Sequence, residues 1–183
     1  MLMQQFPEAN VEGIDIDEAA VQQARENGIN AHLSRLQDWN GGLYDLIVSN
    51  PPYFQNSLKN PNKGRELARH TDSLSYEELV LHSARLLREN GTLALILPAE
   101  AETEIRQLAA AKNLFLTHVT RVYSKASKPV RRVLMAFSRV PELQNSGVPE
   151  FRSSGVPEDT LILEDEKGGR SAAYQELTKD FYL

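Results

Sequence analysis

Continuous hydrophobic runs alternate with helically spaced hydrophobic positions along most of this chain. Strands are predicted at residues 11–16, 29–34, 43–49 and 92–97, and the last two are apolar enough for strands buried on both faces. Helices are predicted between them, at residues 18–27, 75–87 and 99–112. Because each crossover between parallel strands returns over one face, this order predicts an α/β fold with helices on both faces of a parallel sheet.

Two of the predicted helices carry cap signals. Asp17 precedes the first helix, and Gly28 follows it as a residue that adopts the left-handed conformation at low cost. Ser75 and Glu78 have the spacing of a capping box, in which each side chain bonds the backbone N–H of the other residue. These signals predict where both helices begin and where the first one ends.

The order of elements changes after residue 114. Strands at 114–122 and 132–138 are separated by a connection too short for a helical crossover, so we expect them to pair antiparallel. The pentapeptide Ser-Gly-Val-Pro-Glu begins at Ser146 and again at Ser154, which favours a flexible insertion because two copies are too few for a repeat fold. A strand at 160–163 and a helix at 171–181 follow. We expect one domain over residues 1–183.

Asn-Pro-Pro-Tyr, at residues 50–53, directly follows a predicted buried strand, and ligands in open α/β folds bind at that end of a strand. An exocyclic amine is a poor nucleophile because its lone pair is delocalised into the ring. The Asn50 side-chain oxygen and the Pro51 carbonyl can each accept one N–H and so orient the nitrogen toward an activated methyl group. Pro52 stiffens the turn, and Tyr53, extended by Phe54, offers a face for a flipped base. A rigid turn without chemistry is the alternative.

Asp15 ends the first predicted strand, where an acidic side chain can accept hydrogen bonds from both hydroxyl groups of a ribose. Asp17 is interpreted as the helix cap instead. Acidic residues at strand ends are common, so Asp15 alone is a weak indication of a nucleoside site.

Composition excludes several classes of protein. The 183 residues include no cysteine, so disulfide frameworks, thiolate metal sites and thiol nucleophiles are excluded, and a reducing compartment fits. No apolar run approaches the roughly 20 residues of a membrane span, and the first residues lack a signal peptide, so we expect a cytoplasmic protein without a membrane partner. His32, His82 and His118 lack metal-ligand spacing, and we expect no metal.

The formal net charge of -5 argues against indiscriminate nucleic-acid binding, because phosphate affinity comes from lysine and arginine. Any RNA contact must therefore be a local patch. Two segments are rich in cations, namely Lys63, Arg65 and Arg69 after the Asn-Pro-Pro-Tyr turn, and Lys125, Lys128, Arg131 and Arg132 in the late hairpin. We expect these side chains to hold RNA phosphates, with an ordinary solvated surface as the alternative.

At these residues the chain resembles the bacterial tRNA (adenine-N6)-methyltransferases that modify the adenine beside the anticodon of a valine tRNA. The likeness includes residues 50–54, RELARHT at 65–71, RRVLMAFS at 131–138 and YQELTKDFY at 174–182, and it extends over nearly the whole chain. The resemblance implies a Rossmann-like class I methyltransferase sheet with a C-terminal antiparallel hairpin. It also implies S-adenosyl-L-methionine as cofactor and tRNA as substrate.

Two departures from the family pattern affect the cofactor site. The family begins with a first strand ending in Asp-x-Gly-x-Gly-x-Gly, and no segment here matches it, so we expect an N-terminally incomplete chain that lacks the first strand and the glycine loop. Arg35 stands where relatives usually have an acidic residue that bonds the adenine amine of the cofactor. The resemblance still implies Asp15, Ile16, Leu36 and Asn50 as cofactor-binding residues, with Leu36 packed on the adenine.

Two other functions stay open from the sequence. Methyltransferases that modify a glutamine amide (N5) of release factors use the same tetrapeptide, although the two basic segments favour RNA over a protein substrate. A catalytically inactive remnant that acts only as a binding module is the second alternative. For its assembly, we expect a monomer or a weak homodimer.

Overall fold

A computed structural model of the chain describes residues 2–51, 74–139 and 155–180. These residues form two compact units, one within Met1–Gly42 and one within Leu43–Asp180. A single domain over residues 1–183 stays a prediction. In the described part of the chain, no helix is long and apolar enough to cross a membrane.

The first unit contains a strand–helix–strand arrangement. Its elements are α1 (Leu2–Gln5), β1 (Glu12–Asp15), α2 (Glu18–Glu26) and β2 (Asn30–Leu33). β1 and β2 pair in parallel, with Glu12 opposite Asn30. α2 connects the two strands, and Val21 of α2 and Ala31 of β2 are buried. The predicted sequence of strand, helix and strand is confirmed.

Both predicted caps of α2 are present. The Asp17 side chain accepts a hydrogen bond from the Ala19 N–H at 2.9 Å, which satisfies one of the backbone donors that the start of a helix leaves unpaired. At the other end Gly28 has φ +77°, and the Ile29 N–H donates to the Ala24 carbonyl at 3.0 Å. This left-handed residue turns the chain so that β2 follows directly.

The second unit is built around a five-stranded sheet. Its elements are β3 (Tyr44–Ser49), α3 (Tyr76–Leu86), β4 (Leu87–Pro98), a 3-10 turn (Ala99–Ala101), α4 (Glu102–Ala110), β5 (Phe115–Tyr123), β6 (Val130–Ser138), β7 (Glu158–Ile162) and α5 (Ala172–Thr178). The strand order is β3-β4-β6-β5-β7. β3 is parallel to β4, β6 is antiparallel to β4 and β5, and β7 is parallel to β5. The predicted late antiparallel pair is confirmed.

One face of this sheet carries the hydrophobic core. Alternate residues of β4 and β6 are buried, namely Leu93, Leu95, Leu97, Val133, Met135 and Phe137. Successive strand residues point to opposite faces, so these side chains share one face. α3 and α4 pack against each other and add Leu79, Val80 and Ile105 to the core. The capping box that starts α3 is present, with the Glu78 N–H donating to Ser75 Oγ at 3.2 Å.

β3 is not buried on both faces, and that expectation for residues 43–49 is wrong. Leu46 is 44% exposed and Val48 is 50% exposed. β3 is an edge strand of the described sheet, with β4 as its one described partner. An apolar run shows that a strand can be buried, but the neighbours that cover it depend on the strand order.

β4 begins at Leu87 rather than at the predicted residue 92. Tyr44 pairs with Leu87 and Leu46 pairs with Thr92, so the residues between Leu87 and Thr92 bulge out of the ladder. Gly91 permits this bulge, because a Cβ atom there would lie 2.8 Å from the Tyr44 carbonyl oxygen and 2.9 Å from a methyl carbon of Leu87.

Replacing Gly91 with alanine is expected to lower the free energy of unfolding by about 1 to 3 kcal/mol, because the backbone must shift to admit the methyl group. Urea unfolding followed by circular dichroism measures the change. Asn90→Ala, at the exposed neighbouring position, is the matched control and should change this free energy by less than about 0.5 kcal/mol. Equal stabilities of the two variants would contradict the tight contact at Gly91.

Candidate functional site

Parallel pairing brings the ends of β3 and β4 to one side of the sheet in the second unit. Ser49, the last residue of β3, lies opposite Leu95 of β4, and β4 ends shortly afterwards at Pro98. Asn50 and Pro51 directly follow β3. We call this side of the sheet, marked by Asn50 and Pro98, the carboxyl edge. Ligands of open α/β sheets bind at such an edge.

The β5–β6 turn and the end of β7 reach the same carboxyl edge. Arg132 of β6 lies opposite Pro98, because β6 runs antiparallel to β4. Tyr123, the last residue of β5, lies opposite Val130 of β6 and opposite Ile162 of β7. Strand direction therefore brings three segments that are distant in sequence to one edge.

Asn50 is exposed and Pro51 is buried at the carboxyl edge. An exposed amide can present its oxygen to a bound amine, and the fixed φ of the buried proline restricts the backbone that follows the amide. The other predicted residues of this segment lie outside the described residues: Pro52, Tyr53, Phe54, Lys63, Arg65 and Arg69. Their roles stay predictions.

The cations predicted in the late hairpin lie at the carboxyl edge. The Lys128 N–H donates to the Lys125 carbonyl at 3.0 Å and closes the turn. Lys128, Arg131 and Arg132 are exposed, and Lys125 is half-buried. The ladder skips Arg131, which therefore lies in a bulge. Because strands lie about 4.8 Å apart and two steps separate β3 from β6, the hairpin is about 10 Å from Asn50 along the edge.

Arg121 of β5 is held by two carboxylates. Its Nη1 atom lies 2.8 Å from Glu102 Oε2, and its Nε–H donates to Glu158. The hydrogen bonds with Glu102 and Glu158 raise the pKa of the Arg121 guanidinium above its usual value. Glu102 begins α4 and Glu158 begins β7, so this network joins both elements to β5. We therefore assign Arg121 to the fold rather than to phosphate binding.

In the first unit, Asp15 and Ile16 are exposed at the end of β1, and Leu36 is half-buried. Asp15 Oδ1 accepts the Asp17 N–H at 2.9 Å, which orients the carboxylate. The Ser34 N–H donates to the Asp15 carbonyl at 2.9 Å, so the end of β2 lies beside the end of β1. An oriented carboxylate with apolar side chains in the same unit has the chemistry that a ribose and its attached base require.

Pairs of titratable groups occur, but the described residues contain no group of three or more His, Asp or Glu side chains that could hold a metal ion. His118 Nε2 lies 2.8 Å from Asp159 Oδ2, and His32 Nε2 lies 3.5 Å from Glu12 Oε2. Two side chains are too few for a structural metal site. We interpret both pairs as contacts between neighbouring strands.

One part of the carboxyl edge is not predictable from the sequence. The chain after β7 reaches it, because the Leu163 N–H donates to the Tyr123 carbonyl at 2.9 Å and the Glu164 N–H donates to the Ser124 carbonyl at 3.0 Å. The sequence predicts a strand at 160–163 but not its partner or direction, since these depend on long-range pairing. The charged residues concentrated at 164–170 are the sequence signal that could have identified this segment as part of the edge.

Comparisons with known families and proteins match most of this chain to methyltransferases. Residues 23–122 match the family model described as Eco57I restriction-modification methylase. A protein of Edwardsiella ictaluri is 36% identical over 100% of this chain and 74% of its own length. Proteins of Phocaeicola vulgatus and Pseudoalteromonas translucida are 35% and 32% identical over 100% of this chain and 77% of their lengths. All three are named tRNA1(Val) (adenine(37)-N6)-methyltransferase.

Solved structures of methyltransferases share this fold. A predicted O-methyltransferase of Agrobacterium tumefaciens matches with a TM-score of 0.66 and 11% identity, over 97% of this chain and 81% of that protein. A putative class I S-adenosylmethionine-dependent methyltransferase of Listeria monocytogenes matches with a TM-score of 0.57 and 13% identity, over 87% of this chain and 53% of that protein. At these identities the likeness concerns the fold alone, and it confirms the expected class I methyltransferase sheet.

Replacing Arg121 with glutamine is expected to lower the free energy of unfolding by about 1 to 2 kcal/mol, because it leaves the largely buried Glu102 carboxylate without its closest cation. Arg106→Gln removes an exposed, 3.5 Å contact with the same Glu102 and should cost less than about 0.5 kcal/mol. Urea unfolding compares the two variants. If they lost equal stability, the network around Arg121 would be an ordinary surface ion pair.

Proposed function

We propose a function on the premise that this chain belongs to the tRNA1(Val) (adenine(37)-N6)-methyltransferase family. In this proposal the chain transfers a methyl group to the N6 amino group of an adenine in tRNA, beside the anticodon. The observation that carries the proposal is the position of exposed Asn50, followed by buried Pro51, at the carboxyl edge of a sheet that has the methyltransferase fold. That pair of residues has the acceptors an exocyclic amine requires.

Asn50 and Pro51 orient the reacting nitrogen. The Asn50 side-chain oxygen and the Pro51 carbonyl each accept one N–H of the amine, which directs the nitrogen lone pair away from both acceptors. As the nitrogen attacks, positive charge develops on it, and the two oxygens stabilise that charge. The new N–C bond would form as the bond between the methyl carbon and the sulfur breaks, and the methylated nitrogen would then lose one proton to solvent, so no strong base is required. Pro52 stiffens the turn, and Tyr53 and Phe54 stack on the adenine ring.

S-Adenosyl-L-methionine supplies a methyl group bonded to a positively charged sulfur, which makes that carbon electrophilic. Asp15 fits the ribose of this cofactor, because one carboxylate oxygen is already oriented by the Asp17 N–H and the other has no hydrogen bond to a described residue. Ile16, which is 58% exposed, and Leu36 offer apolar contacts to the adenine. Asn50 is a further cofactor contact in this proposal.

Cations of the late hairpin and of the segment after the turn hold the tRNA backbone. Support comes from the position of exposed Lys128, Arg131 and Arg132 at the same carboxyl edge as Asn50. Lys125 lies at this edge too, with its Nζ atom 3.5 Å from Glu164 Oε2. Lys63, Arg65 and Arg69 complete the set in this proposal. Phosphate contacts of this kind fix the orientation of the RNA without reading its sequence.

For location and assembly, we propose a cytoplasmic enzyme that works as a monomer or a weak homodimer. The lack of cysteine supports a reducing compartment. Sedimentation across a range of protein concentrations measures the assembly state.

Asn50→Ala is expected to lower kcat for tRNA methylation by about 100- to 1,000-fold, as removal of a transition-state hydrogen bond does in other enzymes. The KM for tRNA should change little, because the phosphate contacts remain. The measurement is transfer of labelled methyl groups to tRNA, with nuclease digestion to identify N6-methyladenosine. Asn90→Ala is the matched control, since Asn90 lies in the bulge at the opposite end of β4.

The same assay decides between substrates. Incubating the wild-type chain with labelled cofactor, tRNA and a release factor should label the tRNA. Label on the release factor alone would overturn this proposal in favour of glutamine methylation. No label on either substrate would favour the inactive binding module.

Asp15→Asn is expected to weaken S-adenosyl-L-methionine binding about tenfold, because it removes the charge from an acceptor of ribose hydroxyl groups. Isothermal titration calorimetry measures the dissociation constant directly. Glu26→Gln is the control, since Glu26 is an exposed carboxylate at the other end of α2 that accepts only from Gln22 in the described contacts. Unchanged affinity in D15N would remove Asp15 from the cofactor site.

A further inference from the structure

Tyr123 is held at the carboxyl edge by strands on both sides. It is the last residue of β5 and lies opposite Val130 of β6 and Ile162 of β7. Its carbonyl also accepts the Leu163 N–H at 2.9 Å. Because both neighbouring strands hold its backbone, the ring is attached to a rigid part of the sheet, and rigid elements position a binding group more precisely than loops do.

The side chain of Tyr123 is half-buried, so part of it remains accessible to solvent. Among the described residues, its hydroxyl group has no hydrogen-bond partner, and its ring has no aromatic or cation–π contact. A tyrosine that serves the fold usually bonds through its hydroxyl group when it is buried. The contacts of Tyr123 therefore leave an aromatic surface available at this edge.

Two exposed cations flank Tyr123 in the β5–β6 hairpin. Lys128 lies in the turn, and Arg131 lies in the bulge next to Val130, the partner of Tyr123. Neither cation has an ion pair with a described carboxylate. In a regular strand Arg131 would share the buried face of Val133. The bulge adds one residue to β6 and leaves Arg131 exposed beside the aromatic ring's strand position.

An aromatic ring between exposed cations is an arrangement that proteins use to bind single-stranded nucleic acid. Bases stack on the aromatic side chains, while the cations follow the phosphates of the backbone. Stacking tolerates any base, because every base has a π face. Nucleotides beside an anticodon lie in a single-stranded loop, where bases can be splayed out onto aromatic side chains.

We propose that Tyr123 stacks on a base of the tRNA beside the target adenine, with Lys128 and Arg131 on the phosphates next to that base. This inference rests on the proposed function. Three strand steps separate β5 from β3, and strands lie about 4.8 Å apart, so Tyr123 is about 14 Å from Asn50 along the edge. That distance excludes contact with the methylated base and suits a flanking nucleotide.

Loss of a stacking contact can be distinguished from loss of a phosphate contact. A ring remote from the reacting nitrogen contributes equally to the bound substrate and to the transition state, so its loss raises KM and leaves kcat unchanged. Stacking releases no counterion, so the salt dependence of tRNA binding keeps its slope. Loss of a phosphate contact makes that slope less steep by about one unit.

The experiment measures the dissociation constant for a valine tRNA by fluorescence anisotropy at several salt concentrations, together with KM and kcat for methylation. Tyr123→Leu keeps an apolar side chain without an aromatic face. It should raise the dissociation constant about tenfold, keep the salt slope and leave kcat unchanged. Tyr123→Phe keeps the ring and should match the wild type. Arg131→Gln should weaken binding with a slope lower by about one.

Tyr44→Leu is the matched control, because Tyr44 is also half-buried but begins β3, at the opposite end of the sheet from the carboxyl edge. It should bind tRNA like the wild type. Thermal unfolding of each variant shows that it is folded.

Synthetic tRNAs that each lack one base beside the target adenine identify the stacked nucleotide. Each tRNA is bound to the wild type and to Y123L. At one position the missing base should weaken binding to the wild type about tenfold and weaken binding to Y123L no further, because the ring and that base form one contact. Equal losses in both proteins at every position would contradict the stack.

The outcomes separate this inference from the proposed function. If the wild-type chain methylates tRNA and Y123L binds it with unchanged affinity, the inference fails alone. It also fails if Y123F loses as much affinity as Y123L, since the hydroxyl group would then carry the contact, or if Y123L lowers kcat instead of affinity. A wild-type chain that neither binds nor methylates tRNA would overturn both.

Discussion

Parallel pairing between β3 and β4 is the constraint on which the second unit depends. Asn50 follows the sheet at the carboxyl edge because Ser49 ends β3 in register with Leu95. A slip by one residue would turn every side chain of β3 to the other face. The observed register places Ile47 and Ser49 of β3 beside buried Leu93 and Leu95 of β4, on the core face of the sheet. The pairing of β3 with β4 therefore sets the place where Asn50 leaves the sheet.

The antiparallel insertion of β6 between β4 and β5 decides where the hairpin cations lie. β4 ends at the carboxyl edge, so β6 must begin there and β5 must end there. A helical crossover between β5 and β6 would have made them parallel and would have moved this connection away from Asn50. β7, parallel to β5, ends at the same edge for the same reason. Strand direction alone therefore brings Asn50 and the hairpin cations, whose roles are proposed above, to one edge of the sheet.

The helix ends could be predicted from local sequence signals. The order, direction and exposure of the strands could not, because they depend on long-range pairing. Asp17, Gly28 and Ser75 act on neighbouring backbone groups, so their roles follow from the residue types. The exposure of β3 depends on which strands lie beside it, and a run such as Leu-Ile-Val is the same at an edge or in the centre. For the site, the sequence indicated Asn50 and the hairpin cations, but the chain after β7 could be placed at the carboxyl edge only when the direction of β7 was known.

Formal net charge is a poor guide to RNA binding in this chain, because carboxylates engage several of its cations. Arg88 bonds Asp45, and Arg121 bonds Glu102 and Glu158, so these arginines contribute little to counterion release from phosphate. Affinity then depends on the cations at the carboxyl edge, such as exposed Lys128. The net negative charge of the chain repels a polyanion. A charge of -5 therefore weakens nonspecific binding to nucleic acid, and in the proposed function the RNA contact is confined to the carboxyl edge.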